Sequence, residues 1–201
     1  MIGQAASVKP VVDESDQLRA GLYRLLARIF ASPPDQDLLN AIAGLSGDET
    51  ELGQAISALA EAARTTSVED ARDEFQLVFV GIGRGLLLPY ASYYLTGFLN
   101  EKPLARLRAD MGPLGIARSP DVSEPEDHVA ALMEMMAGLI SGSFGSPQPL
   151  DVQQEFFARH IGSWAPHFFA DLEELPQARF YAPAGRIGRL FMGIEAEAFE
   201  M

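Results

Sequence analysis

An all-α fold, as one globular multi-helix domain, is predicted by three features of the sequence. Apolar residues recur at three- and four-residue spacing through most of the chain. No segment shows the alternation of a half-buried strand, and the connections are short and rich in glycine and proline. With 201 residues and 48% apolar content, the chain suffices for one real core. Residues 1–12 read as a flexible N-terminal arm and 13–201 as a single helical domain.

The first helix is predicted over Asp16 to Phe30, where Leu18, Leu22, Leu25, Leu26, Ile29 and Phe30 follow the helical period and Ser32-Pro33-Pro34-Asp35 ends it. A shorter helix carries Leu38, Leu39 and Ile42 and stops between Gly44 and Gly47. The next runs from about Asp48 to Thr65 on Leu52, Ile56, Leu59 and Ala63.

The stretch LVFVGIGRG, Leu77 to Gly85, has the outline of a strand entering a phosphate-binding turn. Its glycine spacing fails, because Leu86 stands where the third glycine of a dinucleotide fingerprint belongs, and no Gly-Lys-Ser/Thr closes a P-loop. Read from Val68, the same residues place Phe75, Val78, Phe79 and Ile82 on one helical face, so a helix ending at Gly81 is expected. No tight nucleotide site is expected.

The aromatic run PYASYYLTG, Pro89 to Gly97, follows as a loop, then a helix from Pro103 to about Gly112. A further helix is expected from Ser123, with Ser123 and Glu126 at capping-box spacing and Val129, Leu132, Met133, Met136, Leu139 and Ile140 on one side. One long helix from about Asp151 through Trp164 to Leu172, kinked at Pro166, precedes a last one from about Gln177 on Ile187, Leu190, Phe191, Ile194 and Ala198.

The net charge of −13 disfavours nucleic acid and anionic membrane surfaces and favours a basic partner. No window approaches a membrane-spanning length, no secretory signal opens the chain, and cysteine is absent, so a cytoplasmic protein without disulfides is expected. His160 and His167 lie about two helical turns apart, too far for one metal ion, and no metal or cofactor is predicted.

Two clusters stand out for function. Ser123 to His128 places Glu124, Glu126 and Asp127 in what the pattern makes a first helical turn, where carboxylates suit the helix dipole. The alternatives to this capping role are a ligand contact and, less favoured, an acid/base pair of Asp127 and His128, since adjacent helical residues diverge by about 100° and form no relay alone. Tyr90, Tyr93 and Tyr94, beside Leu86 to Leu88, either pack on the helices or form a peptide-binding surface. Trp164, the single tryptophan, belongs either to the core or to a ligand groove.

Taken in order, FQLVFVGIG, PYASYYLTG, SEPEDHVAALMEMM, HIGSWAPHFFADL and the closing Phe180-Tyr181 resemble the TorD/DmsD family of molybdoenzyme chaperones, from about Leu18 to the C-terminus. The resemblance implies an all-helical, cytoplasmic, non-enzymatic protein. It would bind the twin-arginine leader peptide or the immature catalytic subunit of a molybdenum oxidoreductase, supporting cofactor insertion and proofreading before export. The family's marks carry over to Pro89, Ser92, Glu124, Pro125, Asp127, His128 and Trp164, whereas Ala91 stands where relatives often have Glu. The expected peptide site comprises Leu87, Tyr90, Ser92, Tyr93, Tyr94, Glu124, Pro125, Glu126, Asp127, His128 and Trp164, with an apolar groove and an acidic rim. Rival readings are a general helical adaptor, a nitrate-reductase-type assembly chaperone, and an all-α enzyme using Asp127 and His128.

Overall fold

The computed structural model describes residues 13–119 and 123–201. The expected arm, residues 1–12, lies outside them. Among the described residues the chain forms α1 (Glu14–Ala31), α2 (Gln36–Ala43), α3 (Glu51–Thr65), α4 (Val68–Phe75), a π-helical turn (Gln76–Val80), α5 (Ala91–Thr96), α6 (Lys102–Met111), α7 (Val129–Ser141), α8 (Leu150–His160), α9 (Ala165–Glu174) and α10 (Tyr181–Glu200). Among the described residues there is no strand, and one isolated antiparallel bridge joins Tyr90 to His128. No helix of these residues is long and apolar enough to cross a membrane.

Local signals start most of the early helices. Asp13, Asp35, Thr50 and Ser67 each cap a helix by accepting a first-turn N–H, from Asp16, Leu38, Gly53 and Asp70. α7 is the central element. Val129, Leu132, Met133, Met136, Leu139 and Ile140 are buried as expected, but so are Ala130, Met135, Ala137 and Gly138, because α1 and α8 enclose it. α10 packs on α9 and α3. Its crossing with α9 is close: a Cβ on Gly188 would lie 2.4 Å from the Phe169 ring. Phe30, Phe79, Phe168, Phe169 and Tyr181 interlock edge-on or tilted in the core between.

A buried polar network crosses this core. Arg19 donates from Nε and Nη2 to the two carboxylate oxygens of Glu195 at 2.8 Å, and the Tyr23 hydroxyl adds a third bond at 3.0 Å. Glu195 is 1% exposed, so its charge is compensated where water does not reach. The expected face of α10 holds only in part: Ile187, Leu190 and Phe191 pack on the core, but Ile194 and Ala198 are exposed, while Glu195 points inward. Leu18 of α1 likewise faces solvent.

Four other expectations are corrected. α7 starts at Val129, not Ser123. Pro125 disfavours helical backbone at Glu124, and His128 caps the helix with Nδ1, so Ser123 and Glu126 form no capping box. The aromatic run is not wholly loop, since Ala91 to Thr96 makes α5, ended by Gly97 in the left-handed conformation. The long helix is two, broken at Ile161 to Trp164. Finally, the helix at Phe75 widens into a π turn and stops at Gly81, leaving Ile82 fully exposed rather than on the buried face.

Candidate functional site

Gly81 has φ of +63°, accessible to glycine at little cost, and a Cβ there would sit 2.0 Å from the Arg84 carbonyl oxygen. The turn then folds back on the helix that precedes it. Leu87 N–H donates to the Val78 carbonyl at 2.8 Å, and Gly85 lies so close to the Phe79 backbone that a Cβ would meet it at 2.4 Å. The glycines thus close a helix C-terminus, whose carbonyls repel anions, opposite to the N-terminal amides that hold phosphate.

Beyond the turn, Pro89 to Ser92 is laced to Asp127 to Val129. Ala91 N–H donates to the Asp127 carbonyl at 3.0 Å, Val129 N–H to the Pro89 carbonyl at 2.8 Å, and Ser92 N–H to Asp127 Oδ2 at 2.8 Å. Asp127 and Ser92 are buried, and neither Asp127 Oδ1 nor Ser92 Oγ has a hydrogen-bond partner among the described residues. The pairing brings Tyr90 onto His128, rings edge-on at 5.1 Å, and lets the Tyr90 hydroxyl donate to Glu124. Burial and the Glu124 carboxylate both raise the Tyr90 hydroxyl well above its usual range. Burial pushes the His128 pKa down to about 4, against the opposing pull of Glu124 and Asp127. Its imidazole is therefore neutral at pH 7, as acceptance of the Ala130 N–H by Nδ1 requires.

Here a cleft of about 480 Å³ opens between the end of α1 and the π turn. Phe75, Phe79, Val80, Leu88 and Leu99 supply apolar walls, with Tyr90, Glu124, His128 and Arg84 as polar groups. A second cleft of about 450 Å³ runs along α1 and α7, floored by Ala27, Ala130, Ala131 and Gly138 and flanked by Arg24, Arg28 and Glu134. Both are lined by Ala31, Glu124 and His128, which makes Glu124 their common carboxylate.

Of the expected peptide-site residues, Tyr90, Glu124 and His128 line this cleft. Tyr93 touches it through Arg84. Pro125 is half-buried beside it and accepts the His128 N–H on its carbonyl. Others serve the fold. Glu126 is buried against Arg108 at 2.7 Å, which lowers its pKa although burial works the other way. Leu87 packs on the core and Ser92 lies within it. Tyr94 covers Trp164 and Phe168 and donates its hydroxyl to Asp171. Trp164 itself is 1% exposed, its indole N–H held by the His160 carbonyl at 2.8 Å. Not foreseen were Phe79, Val80, Arg84 and Leu99 as cleft residues. The signal available was Phe98-Leu99 after Gly97, two large apolar side chains in a turn that the structure leaves exposed.

Asp127 Oδ2 accepts from the α5 backbone and His128 Nδ1 from its own helix, so these two atoms are engaged by the fold rather than by each other. Among the described residues no group of three or more His, Asp or Glu could hold a metal ion.

Comparison with known proteins agrees in kind. Residues 46–170 match the family model for the nitrate reductase delta subunit. The chaperone protein TorD of Vibrio cholerae El Tor Inaba is 29% identical over 198 residues, covering 88% of this chain and 90% of that one. TorD of Shewanella loihica is 25% identical over 217 residues, 94% of this chain and 98% of its own. Among solved structures, a candidate redox enzyme maturation protein from Archaeoglobus fulgidus shares the fold, with a TM-score of 0.59 at 22% identity over 95% of this chain and 99% of that one. The two TorD relatives carry the name of chaperones rather than of enzymes. The matched segment spans more than half the chain and holds both halves of the Tyr90–His128 pairing, so the protein belongs to the nitrate reductase delta subunit family, among the TorD-like chaperones.

Proposed function

We propose that this protein is a cytoplasmic maturation chaperone that holds the twin-arginine leader of an immature molybdenum oxidoreductase subunit in the Tyr90–Glu124 cleft until cofactor insertion, and so delays export. One observation carries the reading: an apolar cleft whose single lining carboxylate, Glu124, sits at its junction with the second groove, in a protein of net charge −13. A leader has the matching form, a basic pair followed by an apolar stretch. The apolar walls would take the stretch, and Glu124 would draw a guanidinium into a charge-assisted bond.

Calorimetry with a synthetic leader carrying two arginines and an apolar run tests it. Binding in the micromolar range is expected, weakened at least about tenfold by Glu124→Gln, as a lost charged hydrogen bond requires. No heat of binding at high peptide concentration would remove the proposal. The family model's description, nitrate reductase delta subunit, favours one second reading, a nitrate-reductase-type assembly chaperone, which would bind a tail without the arginine pair. Capture of such a tail in preference to the twin-arginine peptide would decide for it.

A further inference from the structure

The Gly81–Gly85 turn carries one charged side chain, Arg84, and it is already engaged. Its guanidinium stands 5.0 Å from the centroid of the Tyr93 ring, and Nη2 donates to the Tyr93 hydroxyl at 2.5 Å. Arg84 is the one cation on the lining of the cleft and Glu124 the one carboxylate, yet Arg84 donates to Tyr93 rather than to Glu124. Glu124 accepts instead from Tyr90, one turn before Tyr93.

The turn is fixed at its ends rather than along its length. Gly81 N–H bonds the Gln76 carbonyl, and Leu86 and Leu87 bond Leu77 and Val78. Between these anchors, Ile82, Gly83 and Arg84 make no backbone hydrogen bond among the described residues, and Ile82 at the tip is fully exposed. The contact with Tyr93 is what holds Arg84 over the cleft.

From this geometry we infer that the face and hydroxyl of Tyr93 form a seat for a guanidinium, that Arg84 is its built-in occupant, and that an arginine of the client peptide displaces it. The inference rests on the peptide-binding function proposed above. A flat, weakly hydrated guanidinium can stack on a ring while donating to its hydroxyl, which a lysine ammonium does not reproduce. Until it leaves, Arg84 also sets a positive charge beside any cation approaching Glu124, so that a peptide with a single basic residue gains little. A peptide with two arginines can fill both positions.

Side-chain NMR of the full chain tests the seat apart from the function. In the free protein the Arg84 Nε–H resonance should be displaced by the Tyr93 ring current, and Tyr93→Ala should return it to the free-arginine position. Arginine amide should move it the same way, and lysine amide much less. With the twin-arginine leader, Arg84→Ala should tighten binding by about two- to fivefold, the release of an exposed cation–π contact, and should narrow the preference over a single-arginine leader. An undisplaced resonance in the free protein, or equal responses to arginine and lysine amides, overturns the seat. A leader that binds without moving the resonance, or that binds Arg84→Ala more weakly, overturns the displacement. A displaced resonance and selective response to arginine amide, with no leader bound by any variant, would support the seat and defeat the client assignment.

Discussion

Asp127 Oδ2 accepts the backbone N–H of Ser92 at 2.8 Å, with both residues buried, and so fixes the start of α5 to the segment before α7. A side chain that looks like a binding carboxylate therefore holds the site's scaffold. Asp127→Ala should cost about 1–3 kcal/mol, the effect of leaving a buried donor without its acceptor. Asp127→Asn should cost less, because its amide oxygen still accepts. Urea midpoints of the three proteins check this, and an unchanged midpoint for Asp127→Ala would contradict it.

The His128 imidazole gives stability a pH dependence whose sign is fixed. Its folded pKa is about 4 and its unfolded value 6.5, so between them the unfolded chain binds the proton and the folded one does not. The contribution is present above about pH 6.5, declines as pH falls, and differs by about 3 kcal/mol in full. Burial lowers His160 as well, adding in the same direction. His128→Gln should flatten the fall in unfolding free energy between about pH 7 and about pH 5, and equal slopes in the two proteins would remove the assignment.

Arg19 is the counter-charge to Glu195, which lies 1% exposed with Tyr23 as its other partner. Arg19→Met should destabilise the protein by about 3–5 kcal/mol, because it strands a buried carboxylate. The double variant Arg19→Met, Glu195→Leu should recover much of that loss. Chemical denaturation of the single and double variants measures the difference.

Gly85→Ala places a methyl group against the Phe79 backbone and should cost about 1–3 kcal/mol. Gly112, at the end of α6 with nothing within 4 Å of an added Cβ, should accept alanine with little effect. Thermal unfolding of the two variants provides the comparison.

Helices with strong periodicity were legible: α1, α2 and α3 lie close to their predicted bounds because local pattern and caps agree with tertiary packing. Glycine at 81 was correctly a helix end, for it alone among residues takes that φ readily. The start of α7 was not legible, because what keeps Glu124 to Asp127 out of the helix is Pro125 together with hydrogen bonds to Pro89–Ser92, far away in sequence. The burial of Glu195 was not legible, since a single helix does not reveal that Arg19 from the other end of the chain will neutralise it. The cleft was half legible for the same reason. Tyr90, Glu124 and His128 stood in conspicuous runs, whereas Phe79, Arg84 and Leu99 acquire their meaning only when three distant segments meet.

The enclosure of α7 bears on how the chain itself emerges from the ribosome. The buried face of α1, with Tyr23, Leu26, Ile29 and Phe30, is completed at Ala31, but its main partner begins only at Val129. During synthesis that face lacks its main partner while residues 32–128, about half of the polypeptide, are translated, and closing so distant a contact carries a loop-entropy cost. A member of a chaperone family thus begins as an unfinished chain with part of its own apolar flank exposed, and its yield in the cell should depend on how fast residues 32–128 are translated.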